Sequence, residues 1–106
     1  MKTFLNYEEA VEALDSYDLE EIERKIGVLQ RETLQENPNP EEKAFIAYDF
    51  NKSYKYWVKK LNDYINIVGV GDSEKVYMQQ VAYMTVYAEK VKSLRDRYAR
   101  MYNVKF

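Results

Sequence analysis

Apolar side chains recur along most of this chain at alternating steps of three and four, the spacing that gathers them on one face of an α-helix. The longest run is Ala47, Phe50, Tyr54, Trp57, Leu61, Tyr64 and Val68, and its register is that of a coiled-coil seam. In front of it stands Asn39-Pro40-Glu41-Glu42. Asn is a preferred N-cap, Pro fits the first helical position, and Glu42 is placed to reach back to the cap amide. Gly69 follows as a left-handed C-cap. The predicted helix, about Pro40 to Val68, would span ~43 Å at 1.5 Å per residue and is expected to be the spine of the fold.

The same period appears on either side. Asn6-Tyr7-Glu8-Glu9 has the form of a capping box, and Tyr7, Ala10, Val11, Leu14 and Tyr17 then repeat at helical spacing. Glu8, Glu9, Glu12 and Asp15 take the opposite face, so a short amphipathic helix is predicted. Met1 to Leu5 form a lead-in, with Phe4 and Leu5 expected under apolar cover. A second box, Asp18-Leu19-Glu20-Glu21, predicts the next helix, whose seam is Leu19, Ile22, Ile26, Leu29 and Thr33. Gly27 falls off that seam and marks either a close approach or a weak point, since Gly costs about 1 kcal/mol relative to Ala in a helix. Asn37-Pro38-Asn39-Pro40 must end this helix near Glu36 and is read as a corner.

Beyond the spine, Gly69-Val70-Gly71 makes a loop, with Asp72 or Ser73 as the next N-cap. The last helix is predicted from Ser73 to Tyr102, with a stripe of Tyr77, Val81, Met84, Ala88 and Val91. Two long helices joined so briefly must fold back antiparallel. The expected fold is therefore all-α and four-helix bundle-like, with two short N-terminal helices packed on a long antiparallel helical hairpin in a single domain, 1–106.

One stretch departs from simple amphipathicity. From Val76 to Ala88 there is no charge, and Met78, Ala82, Tyr83 and Val86 lie outside the main stripe. A helix apolar nearly all round is covered on several sides. The N-terminal helices are expected to provide that cover, a homodimer contact or a docking patch through Val76–Ala88 being the alternative.

Composition narrows the chemistry. The chain has 106 residues, 46% hydrophobic and 32% charged, with three Gly and two Pro. That balance suits a folded helical domain and leaves little turn material for an all-β one. Neither Cys nor His occurs. Thiol chemistry, Cys/His zinc sites and histidine acid–base catalysis are thereby excluded. Carboxylates are plentiful, but they occupy caps and polar helix faces, and no nucleophile–base–orienter pattern is present. Gly69-Val70-Gly71-Asp72-Ser73-Glu74-Lys75 lacks the P-loop spacing and carries two acids that would repel phosphate. No enzyme activity, metal or cofactor is expected. Acids interrupt the first apolar run, so no signal peptide is expected, and no apolar stretch approaches the roughly 18 residues of a membrane span. The expected location is cytoplasmic.

Charge is split along the chain. Residues 1–42 carry four basic and twelve acidic side chains, and residues 43–106 carry twelve basic and six acidic ones. The simplest expectation is that the two halves face each other and offset. Arg95, on the apolar stripe between Val91 and Tyr98, is expected to find an acid of the first two helices.

The candidate site is the back of the spine, where Phe45, Tyr48, Lys52, Lys55, Tyr56 and Lys59 cluster opposite the seam. Met78 and Tyr83 on the last helix join them as partner-binding candidates, in a chain with eleven tyrosines. Aromatics interleaved with basic side chains suit a protein-binding surface. The same mixture can bind single-stranded nucleic acid, but Lys90, Lys92, Arg95, Arg97 and Arg100 scatter around the last helix and break the continuous basic surface that reading requires. The expected function is a small protein-interaction module, such as an accessory or inhibitory protein of a mobile element. The alternatives are a nucleic-acid-binding helical protein and a structural subunit of a homo-oligomeric assembly.

Overall fold

The computed structural model describes residues 5–106. It is all-α, 85% helical, with no strand among the described residues. Four α-helices follow one another: α1 (Tyr7–Ala13), α2 (Ser16–Glu36), α3 (Lys43–Asn66) and α4 (Glu74–Met101). No helix among the described residues is long and apolar enough to cross a membrane.

Helix α1 starts at its expected cap, but Glu9 takes the Asn6 side-chain amide and not the backbone N–H that a full capping box would hold. The Asn6 side chain accepts from the Glu9 N–H at 2.9 Å and donates to the Glu9 carboxylate at 3.0 Å. It stops earlier than its apolar spacing implies. Leu14 is extended, and Asp15, rather than Asp18, caps α2 by accepting from the Asp18 N–H at 2.8 Å. Both aspartates can cap. With Asp15 in that role Asp18 falls in the first turn, where the helix dipole favours a carboxylate. Tyr17 then belongs to α2 and is 71% exposed instead of extending the α1 apolar face. Helix α2 has 21 residues, so only α1 is short.

The α2 seam lies where its spacing puts it. Ile22, Ile26 and Thr33 are buried, with Leu19 and Leu29 packed against the core. A Cβ built on Gly27 meets nothing within 4 Å, so this glycine is a weak point and not a close approach. The corner is tied by Asn37, which is buried. Its amide donates to the Thr33 carbonyl at 3.0 Å and to the Asp49 carboxylate at 2.9 Å. Lys43 Nζ in turn donates to the Asn37 carbonyl at 3.0 Å.

Both ends of the long third helix differ from expectation. Pro40–Glu42 is a single 3-10 turn, and Glu42 accepts from the Asn39 side-chain amide at 3.2 Å instead of holding the cap N–H. The α-helix ends at Asn66, and Val68–Gly71 form a second 3-10 turn. Val68 therefore leaves the seam and is exposed. No glycine has positive φ, so Gly69 is not a left-handed cap. It is buried, and a Cβ there would stand 2.7 Å from the Tyr64 ring and 2.9 Å from its carbonyl oxygen. The turn needs glycine for close approach. Ser73 caps α4, accepting from the Val76 N–H at 3.3 Å.

Ring contacts establish how α3 and α4 pair. Tyr64 stacks on Tyr77, Trp57 meets Tyr87, and Phe50 meets Tyr98. Positions descend on one helix as they ascend on the other, so the two run antiparallel. The central element, however, is α4. It packs against α1, α2 and α3 and buries eleven residues, where α3 buries six. Within the uncharged stretch Tyr77, Val81, Ala82, Thr85, Val86, Tyr87 and Ala88 are all buried. Three neighbours around one helix leave no room there for a charged face.

Two apolar clusters result. The larger joins all four helices around Phe50, Val86 and Val91. The smaller, Leu61, Tyr64, Ile65, Tyr77 and Val81, fills the hairpin end. Leu5 packs against both, and Phe4 lies outside the described residues. After α4, Asn103 takes φ 56° and the Val104 N–H bonds the Ala99 carbonyl at 2.8 Å. This Schellman closure sends the tail back toward α3. The molecule measures 48 × 26 × 20 Å.

Candidate functional site

Six of the eight candidate residues share one surface. On α3 the buried seam occupies one side, so the positions half a turn away must face solvent. Phe45, Tyr48 and Tyr56 are 55%, 50% and 57% exposed, and Lys52, Lys55 and Lys59 are exposed between and beyond them. Exposed aromatic rings of this size are unusual on a polar helix face, and three on one helix make a patch.

Two of the three lysines keep their charge available. Lys52 and Lys55 form no ion pair among the described residues, and Lys59 bonds Asp63 one turn on, at 2.8 Å. That hydrogen bond raises the Lys59 pKa above its ordinary value. Lys60 lies 5.1 Å from the Trp57 ring centre and 5.8 Å from that of Tyr56, within cation–π range. None of these side chains meets an acid of α1 or α2. Among the described residues the two oppositely charged halves are instead joined by one ion pair, Lys90 with Glu23, and this hydrogen bond raises the Lys90 pKa despite partial burial.

The tail completes one end of the surface. Phe106 meets Tyr48 edge-on, with ring centres 5.4 Å apart. The Arg95 guanidinium lies 4.9 Å from the Tyr54 ring and 5.4 Å from that of Phe106. Its acid is not from the first two helices. Arg95 pairs with its own neighbour Asp96 at 2.9 Å and donates to Asn51 on α3 at 3.0 Å. The stripe position of Arg95 points it at α3, where it meets Asn51 and Tyr54.

Met78 and Tyr83 are placed elsewhere. Met78 is half-buried against the hairpin-end cluster. The Tyr83 hydroxyl accepts from Lys25 Nζ at 2.8 Å and donates to Glu21 at 3.1 Å, which pins α2 to α4. This contact raises the Lys25 pKa, and Lys25 and then Tyr83 lower that of Glu21. Of the Val76–Ala88 stretch, Val76, Gln79 and Gln80 are the exposed positions.

Three surface features had no part in the candidate set. Phe106 was not anticipated, since nothing in the local sequence signals a tail that doubles back. Ile67, Val68 and Val70, all more than 60% exposed, form an apolar tip on the hairpin. Their signal was the uncharged Ile67-Val68-Gly69-Val70 run. A groove of about 510 Å³ between α1, α2 and α4 is lined by Tyr7, Glu23, Ile26, Lys90, Leu94 and Arg97, and the Glu23–Lys90 pair lies in it.

Chemically, the α3 face offers cations and flat apolar rings, which can hold a surface by charge and contact. Comparison of the chain with models of known families, with characterised proteins and with solved structures finds no match.

Proposed function

We propose that this chain is a small non-enzymatic protein-interaction module, of the accessory or inhibitory kind, that occupies a partner's surface with the outer face of α3. The observation carrying this reading is the joint exposure of Phe45, Tyr48 and Tyr56 beside Lys52 and Lys55, which are exposed and form no ion pair among the described residues. Helices α1, α2 and α3 each pack on α4, and Phe45, Tyr48 and Tyr56 belong to neither apolar cluster, so this face is surplus to the core. Rings anchored on a helix are rigid and lose little entropy on binding.

A protein partner fits better than nucleic acid. The bases of α4 do not extend the α3 row, since Lys90 is turned to Glu23 and Arg95 to Asp96 and Asn51. A continuous phosphate track would need them. A second copy of the chain is the remaining alternative, and sizing by light scattering separates it.

The test is site-specific photo-crosslinking in cells that naturally make the chain. A photoreactive residue replaces Tyr56 on α3 or, as control, the more exposed Tyr17 on α2. Protein adducts at position 56 and none at 17 are expected. No adduct at 56, or the same adducts at both positions, overturns the reading.

A further inference from the structure

Helix α3 carries two seams. Its buried side runs Ala47, Phe50, Tyr54, Trp57, Leu61 and Tyr64, and packs on α4. Its outer side runs Phe45, Tyr48, Lys52, Lys55 and Lys59, also at alternating steps of three and four. A 3-4 repeat keeps its side chains in line along a straight partner helix. All five positions are exposed, and no helix among the described residues covers them; the Phe106 ring of the tail touches the seam at Tyr48. Its five rungs cover about 21 Å at 1.5 Å per residue. Aromatic rungs occupy the N-terminal part, where Phe106 lies edge-on to Tyr48, and lysines occupy the rest.

Resting on the reading above, we infer that the partner docks through an acidic amphipathic helix laid antiparallel along this outer seam. Charge complementarity sets its composition. Carboxylates must stand at 3-4 spacing opposite Lys52, Lys55 and Lys59, and apolar side chains must follow opposite Phe45 and Tyr48. The gradient also sets its direction. Antiparallel to α3, the partner's N-terminal half lies beside the lysines. Its carboxylates then sit near its own positive dipole end, where they are favoured, and the two helix dipoles oppose. Parallel docking would put the carboxylates at the partner's negative end. A contact of five rungs is small beside a standard interface, so the complex is expected to be reversible and salt-sensitive.

The probe is a blocked synthetic helical peptide with Glu at 3-4 spacing in its N-terminal half and Leu with one Trp on the same face of its C-terminal half. Three comparison ligands are the peptide with its halves exchanged, the peptide with Lys for Glu, and a single-stranded oligonucleotide of equal charge. Binding to the full chain is read by fluorescence anisotropy at low and moderate salt. The acidic peptide should bind, and weaken as salt rises. It should lose at least tenfold in affinity against the Lys52→Glu, Lys55→Glu, Lys59→Glu triple variant, whose helicity and melting temperature are checked by circular dichroism. The lysine peptide should show the inverse preference, and the exchanged peptide should bind severalfold more weakly. Absence of binding, equal binding to wild type and variant, or preference for the oligonucleotide overturns the inference. Equal affinity for the exchanged peptide overturns the antiparallel placement. Adducts at position 56 alongside a failed peptide would leave the α3 surface standing with a partner of other chemistry, and loss of both removes the surface as well.

Discussion

Two glycines show how much of a residue's role depends on what lies across from it. Gly27 and Gly69 both interrupt apolar helical runs, yet their surroundings are opposite. A Cβ at Gly27 enters open space, and its helix has ordinary negative φ. Gly27→Ala should therefore raise stability by roughly 0.5–1 kcal/mol through lower unfolded-state entropy and better helix propensity. A higher urea midpoint with an unchanged slope is the expected result. A Cβ at Gly69 would overlap the Tyr64 ring and backbone. Gly69→Ala should cost about 1–3 kcal/mol by overpacking, seen as a lower midpoint in the same experiment. Spacing identified both positions as special. It could not tell which was needed, because the Tyr64 ring reaches Gly69 only once the 3-10 turn has formed.

At the scale of elements, the 3-4 period located every helix, and errors gathered at the ends. Three causes were local. Asp15 and Asp18 both offered a cap, Glu42 found the Asn39 amide before the backbone, and a 3-10 turn took Val68 out of its helix. The larger correction concerns rank. The run from Ala47 to Val68 has the more regular pattern, but α4 is the helix that meets all the others. Its mark was the uncharged Val76–Ala88, because a helix needs a polar face only where it meets water. The α3 face was legible for the complementary reason: its six candidate residues have no apolar helix to cover them. Met78 and Tyr83 were not separable from that set by spacing, since Tyr83 is half-buried by an α2 contact 58 residues away in sequence. The α2–α3 corner makes the element-scale test. Asn37 links an α2 carbonyl to an α3 carboxylate from a buried position. Asn37→Ala should cost roughly 1–3 kcal/mol, because one bond is charge-assisted and the Thr33 carbonyl loses this donor. Chemical denaturation measures the loss, and a change under about 0.5 kcal/mol would show that the prolines alone hold the corner.

For the whole molecule, the two clusters imply two grades of cohesion. The larger cluster is enclosed by four helices, while the hairpin end is held by α3, α4 and Leu5. At that end Tyr64 donates to Asp72, tying the helix to the turn that leads into α4. Burial first, and then the Asp72 hydrogen bond and charge, push the Tyr64 pKa from its ordinary 10.0 up to about 12. The folded chain thus holds this proton more tightly than the unfolded chain does. The stability it contributes is complete below pH about 10 and is lost as pH rises toward 12. Other tyrosines also ionise in that window, and burial raises the Tyr87 pKa as well, so the informative quantity is a difference. Tyr64→Phe keeps the ring against Tyr77 and Gly69 and removes the titrating group. Unfolding free energies of wild type and variant should differ most at pH 8, with wild type the more stable, and converge as pH approaches 12. Parallel curves across that range would mean that the fold does not hold the Tyr64 proton more tightly than the unfolded chain does. Convergence would place an alkaline weak point of the fold at the hairpin end, apart from the four-helix cluster around Phe50 and the outer face of α3 behind it.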